Sequence, residues 1–85
     1  MTVSADLRGR VEAVIRKSFP QFRGAVEDKL TAKEVPGWDS VAHFNLVMAV
    51  EDEFGVELDS SRIYALRNVG ELISLVAETV GKAGL

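Results

Sequence analysis

The chain breaks sharply at Pro36-Gly37-Trp38-Asp39-Ser40, between a long polar stretch and the most apolar run of the sequence, Val41 to Phe54, which Gly55 closes. Pro and Gly interrupt regular structure, whereas Asp and Ser are residues that start helices. A run of this length that begins on a cap and stops on Gly reads as one helix, from Asp39 or Ser40 to Phe54. Everything else must pack around it. No Cys and a single His leave no disulfide and no zinc site of the usual Cys/His kind to staple 85 residues together. With 47% hydrophobic residues, apolar packing alone can hold one domain over residues 1–85.

The flanking segments carry the same helical period. Ser4 can cap a first helix with Asp6 in its first turn, and Leu7, Val11, Val14 and Ile15 give it one apolar face before Pro20. Residues 20–38 form a long polar loop with apolar anchors at Phe22, Val26, Leu30, Val35 and Trp38 and a short helical turn after Thr31. Beyond Gly55, Val56 and Leu58 alternate in an extended link. Asp59 or Ser60 then caps a short helix through about Leu66, anchored by Ile63 and Leu66. Asn68-Val69-Gly70-Glu71 is close to a capping box, and Val69, Leu72, Ile73, Val76 and Val80 follow at helical spacing up to Gly81. The prediction is an all-α fold, a small four-helix bundle of three longer helices and one short one.

Charge narrows the partners. A net charge of -3 argues against nucleic acid, whose phosphates need a basic face. Between Asp39 and Asp59 lie Asp39, Glu51, Asp52, Glu53, Glu57 and Asp59 with no Lys or Arg, a pattern that fits either a basic partner or a solvated helix end. The start of the chain lacks the features of a signal peptide, and no run is long enough to cross a membrane, so the expectation is a soluble cytoplasmic monomer. The long apolar helix has an arc too wide for one buried stripe. Leu46, Val47, Val50 and Phe54 share one side, while Val41, Phe44 and Met48 lie on another, nearer Ser40, with Glu51 and Asp52 further along that flank. The second group is either a docking patch or part of a core that surrounds the helix.

Asp39, Ser40 and His43 lie close together in sequence, but a hydrolytic triad needs the base held by its carboxylate while it reaches the hydroxyl beside an oxyanion hole. Neighbours on successive turns of one helix rarely satisfy this. His43 also has no Cys or His companion for a metal, and the glycines do not take phosphate-loop spacing. Ser40 itself has two readings. It caps the helix, or Asp39 does so and Ser40 keeps a free hydroxyl where the electropositive helix end favours a phosphodiester.

Gly37-Trp38-Asp39-Ser40-Val41, followed by Leu46-Val47-Met48-Ala49-Val50-Glu51-Asp52-Glu53-Phe54-Gly55-Val56, resembles the acyl carrier proteins, in which an Asp-Ser-Leu-like tripeptide opens the second of four helices. The likeness runs over nearly the whole chain and is that of a discrete, single-domain carrier. It implies that Ser40, next to Asp39, is esterified by a 4'-phosphopantetheine arm from coenzyme A. A separate phosphopantetheinyl transferase performs that step with magnesium, so the carrier itself has no catalytic residues and binds no metal of its own. The terminal thiol of the arm then holds an acyl group as a thioester. The resemblance further implies that Val41, Phe44, Met48, Glu51 and Asp52 meet loading and acyl-transferring enzymes with basic docking surfaces. By position, Leu46, Val50, Phe54, Leu66 and Ile73 would line an acyl pocket, residues that plain core packing describes equally well.

The sequence also departs from the family pattern. Ala42 and Asn45 stand where fatty-acid carriers often have acidic residues, and Val41 replaces the usual Leu. Trp38 with His43 looks more like carriers of polyketide, nonribosomal-peptide or other specialised pathways. The alternatives carried forward are an aminoacyl or peptidyl carrier, and a helical interaction domain that is never modified.

Overall fold

Residues 5–82 are described in the computed structural model. Four α-helices follow in order: α1 (Ala5–Ser18), α2 (Ser40–Phe54), α3 (Ser60–Ala65) and α4 (Val69–Lys82), with a single 3-10 turn over Ala32–Glu34 in the α1–α2 loop. The predicted elements are all present, and no strand occurs among the described residues. Ser4, the expected cap of the first helix, lies outside the described residues.

Helix α2 begins and ends for the reasons its sequence gives. The Asp39 carboxylate accepts the Ala42 N–H at 2.8 Å, and Gly55 adopts a left-handed conformation (φ 66°), donating its N–H to the Glu51 carbonyl. Such a φ favours Gly, which has no Cβ to clash. Asp59 caps α3 in the same way, through the Ser61 N–H at 3.0 Å.

The start of α4 is satisfied differently. Four amide groups at a helix N-terminus have no partner inside the helix. Here the long loop supplies two acceptors, Leu30 O to Val69 N–H (2.9 Å) and Asp28 O to Gly70 N–H (2.8 Å), and Asn68 supplies its side chain to Glu71 and its carbonyl to Leu72. Glu71, expected to close a capping box onto Asn68, reaches one residue further back and accepts from the Arg67 N–H at 2.9 Å. The approach is close: a Cβ at Gly70 would lie 2.9 Å from the Asp28 Cβ, so only Gly fits beneath this loop. Arg8 pairs with Asp28, and Arg16 donates to the Gly24 carbonyl at 2.9 Å. The long loop is therefore fastened to both α1 and α4, with Leu30 and Val35 buried under it.

The core is made by α1, α2 and α4. Val11, Ile15, Leu46, Val50, Val69 and Val76 are fully buried, and α1 packs against both α2 and α4. Arg10 bonds to the Glu53 carboxylate and carbonyl at 2.8 Å each and lies over the Phe54 ring, closing the far end of the α1–α2 contact. The short helix α3 packs through half-buried Ile63 and Leu66, and Arg62 ties it to α4 by an ion pair with Glu78 at 2.7 Å. The radius of gyration, 11.9 Å, matches the roughly 12 Å expected for a compact domain of this length.

Acid should weaken this arrangement. Asp28 is held below its ordinary 3.8 by Arg8, Asp59 by the Ser61 hydroxyl and N–H, and Glu71 and Glu78 below 4.5 by Arg67 and Arg62. A carboxyl whose folded pKa is depressed stabilises the fold fully above its unfolded value, and the contribution fades as pH falls through the folded one. The melting temperature should thus be level near neutrality and decline once pH drops below the ordinary values of 4.5 and 3.8. A thermal melt series should show the decline made shallower by Asp28→Asn combined with Glu78→Gln.

Candidate functional site

Of the two readings open for Ser40, the geometry supports the second. Asp39 performs the capping, and the Ser40 hydroxyl, first in α2, is exposed with no hydrogen-bond partner among the described residues. The hydroxyl opens onto a surface depression lined by Ala32, Trp38, Asp39, Ser40, His43, Tyr64 and Leu66. Asp39 and the electropositive start of α2 flank it, an environment that suits an esterified phosphate better than a nucleophile needing a base. The triad geometry is absent. Asp39 points to the Ala42 amide, and the His43 ring bonds to Trp38 and to the Ile63 carbonyl.

Trp38 explains how the loop reaches this point. Its ring stacks on buried Phe19 at the end of α1, with centroids 4.8 Å apart, and its N–H donates to His43 Nδ1 at 3.1 Å. Pro36 and Gly37 (φ 86°) turn the chain so that Trp38 enters this stack and Asp39 faces the helix.

The apolar residues near Ser40 are exposed rather than core. Val41 is 71% exposed, Phe44 56% and Met48 49%. Tyr64 on α3, 81% exposed, extends this patch across the depression and was not among the predicted residues. A signal existed: Tyr64 sits between the anchors Ile63 and Leu66 in a one-turn helix, which forces it onto the opposite face.

The acidic flank differs from expectation. Asp52 is exposed, but Glu51 is half-buried and its carboxylate accepts the Leu58 N–H at 2.8 Å, pinning the link into α3. The free amide of an extended link needs an acceptor, and the side chain one turn before the α2 terminus is within reach. Glu53 is engaged by Arg10. The residues expected by position to line an acyl pocket divide in two. Leu46, Val50, Phe54 and Ile73 are at most 9% exposed and packed in the core, whereas Leu66 is half-buried and lines the depression.

A family model described as the phosphopantetheine attachment site matches residues 37–76, the span from the turn before Ser40 to the middle of α4. The acyl carrier protein of Thermotoga maritima is 25% identical over 81 residues, covering 95% of this chain and 100% of that protein, and that of Phenylobacterium zucineum is 26% identical with coverage of 91% and 98%. The chain is similar to the acyl carrier proteins over nearly its whole length. The matched model describes a site for attaching phosphopantetheine, and both of these relatives are named as carriers. The solution structure of the holo acyl carrier protein from Geobacter metallireducens superposes with a TM-score of 0.79 over 91% of this chain and 87% of that one, at 23% identity, so the two chains share a fold. A segment of the polyketide synthase ThaG of Burkholderia thailandensis is 34% identical over 79 residues; that match covers 88% of this chain but 1% of the synthase. No helix among the described residues is long and apolar enough to cross a membrane.

Proposed function

We propose that this chain carries acyl intermediates on a phosphopantetheine arm esterified to Ser40, in fatty-acid-like or specialised, polyketide-type biosynthesis. One observation carries the reading: Asp39 meets the capping requirement of α2, so the Ser40 hydroxyl is exposed and uncommitted. In loading, the Ser40 oxygen bonds to phosphorus in the pyrophosphate of coenzyme A. The pyrophosphate bond breaks, the nucleotide portion leaves, and the hydroxyl proton goes to the transferase. Once bound, the arm supplies a thiol that holds cargo as a thioester. Tethering raises the effective concentration of cargo at each enzyme. The likeness to part of a polyketide synthase supports the polyketide side of the proposal; an aminoacyl or peptidyl carrier is the second reading, because cargo is chosen by the loading enzyme.

Enzymes that act at Ser40 must cover its surroundings. Val41, Phe44 and Met48 supply exposed apolar contact there, and Asp52 supplies charge at the far end of the same face. Glu51 and Glu53 are already used inside the molecule, which favours apolar contact over charge in docking. In a steady-state assay of a transferase, Phe44→Ala should raise KM roughly tenfold, as for a central aromatic anchor, and Asp52→Lys should raise it only about threefold, with an effect that shrinks with added salt. The reverse order would mean that docking is electrostatic. Where cargo is sheltered, it meets Leu66 first, with Leu46, Val50, Phe54 and Ile73 deeper in the core.

The test is incubation with coenzyme A and a broad-specificity phosphopantetheinyl transferase, followed by intact-protein mass measurement. A gain of one arm is expected. An unchanged mass would instead point to an interaction domain that is never modified.

A further inference from the structure

The carrier reading leaves His43 and Trp38 without a role, yet they form a continuous chain of contacts across the site. Trp38 stacks on Phe19 and donates its N–H to His43 Nδ1 at 3.1 Å. An indole N–H can only donate, so Nδ1 is the acceptor and the ring hydrogen lies on Nε2. That nitrogen donates to the Ile63 carbonyl of α3 at 3.2 Å. The neutral ring thus has both nitrogens satisfied and joins the start of α2 to α3. With 6 residues, α3 is too short to be stable alone and depends on such ties for its position.

The position of α3 matters because of what lies on either side of His43. Toward solvent is the depression beside Ser40; toward the core is a recess of about 50 Å³ that reaches Leu30 and Leu72. Both are lined by Ala32, Trp38, His43 and Leu66, so the two adjoin at these side chains, and the His43 hydrogen bonds to Trp38 and Ile63 cross that boundary. The recess has room for one or two water-sized groups, not for an acyl chain.

We propose that His43 is a positioning residue that keeps this boundary shut, so that cargo attached at Ser40 stays on the solvent side and enters the bundle past Leu66 only when the two His43 hydrogen bonds break. The proposal rests on the reading of Ser40 as the attachment point. With the latch closed, the thioester is available to partner enzymes; with it open, the chain is withdrawn toward Leu72. Loss of both hydrogen bonds should shift the balance toward the open form by roughly tenfold.

The test compares wild type, His43→Leu, His43→Gln and Trp38→Phe, each loaded with the same medium-chain acyl group, by the rate of thioester hydrolysis. His43→Leu should hydrolyse several-fold more slowly than wild type. His43→Gln, whose amide presents an acceptor and a donor along one edge, should restore the wild-type rate. Trp38→Phe keeps the stack on Phe19 but removes one of the two His43 hydrogen bonds, and its rate should fall between those of wild type and His43→Leu; it also serves if the leucine variant does not fold. Equal hydrolysis rates in wild type and both latch-breaking variants would overturn the proposal, since a purely structural His43 would alter melting temperature alone. Nitrogen NMR of the unmodified protein reads the latch without any arm: hydrogen on Nε2 is expected, and hydrogen on Nδ1 would overturn it whatever becomes of Ser40.

Discussion

Ser40→Ala is expected to abolish loading completely while leaving the fold intact. The substitution removes an exposed hydroxyl that bonds to nothing among the described residues, and Ala is a good residue for the first turn of a helix. Stability should change by no more than about 0.5 kcal/mol. Asp39→Ala provides the contrast, because the carboxylate holds the Ala42 N–H and its removal should cost about 1 kcal/mol of stability. Melting curves and transferase assays on the two variants would separate the roles: one residue holds the helix start and the other accepts the arm. A Ser40→Ala protein that melts far below wild type would mean that Ser40, not Asp39, is the structural cap.

Leu46→Ala should have the largest effect on stability. Leu46 is fully buried on the core side of α2, among Val11, Ile15 and Val50 in the same cluster. Removing it loses its transfer free energy and leaves a cavity, costing about 2 to 5 kcal/mol. For a domain of this size each kcal/mol lowers the melting temperature by about 4 to 8 °C, so a fall of at least ~8 °C is expected. Exposed Asn45, the adjacent residue, should tolerate Ala with almost no change. A small loss at Leu46 would show that this part of the core collapses or fills easily, as a site built to admit a chain would.

Much of the fold could be read from the sequence because it is punctuated by residues with one physical use. Asp39 and Gly55 bound α2, Asp59 begins α3, and Asn68 begins α4. The helical period then placed Leu46, Val50 and Phe54 in the core. It could not decide whether Val41, Phe44 and Met48 were covered, because that depends on where α3 lies, and α3 is held by tertiary contacts rather than by its own sequence. The same limit applies to Glu51. Spacing places it beside Asp52 on one flank, but its partner, the Leu58 N–H, comes from a link whose path only the folded chain defines. Trp38 was legible as an anchor, whereas its hydrogen bond to His43, five residues on, and that of His43 to Ile63, twenty further, were not.

The central claim, that Ser40 and no other hydroxyl takes the arm, is tested most directly by loading the wild-type protein with coenzyme A and a phosphopantetheinyl transferase, cleaving it and fragmenting the modified peptide by tandem mass spectrometry. The expected result is a single modified peptide with phosphopantetheine on Ser40. Its appearance on exposed Ser60, Ser61 or Ser74, or on no residue at all, would contradict the account.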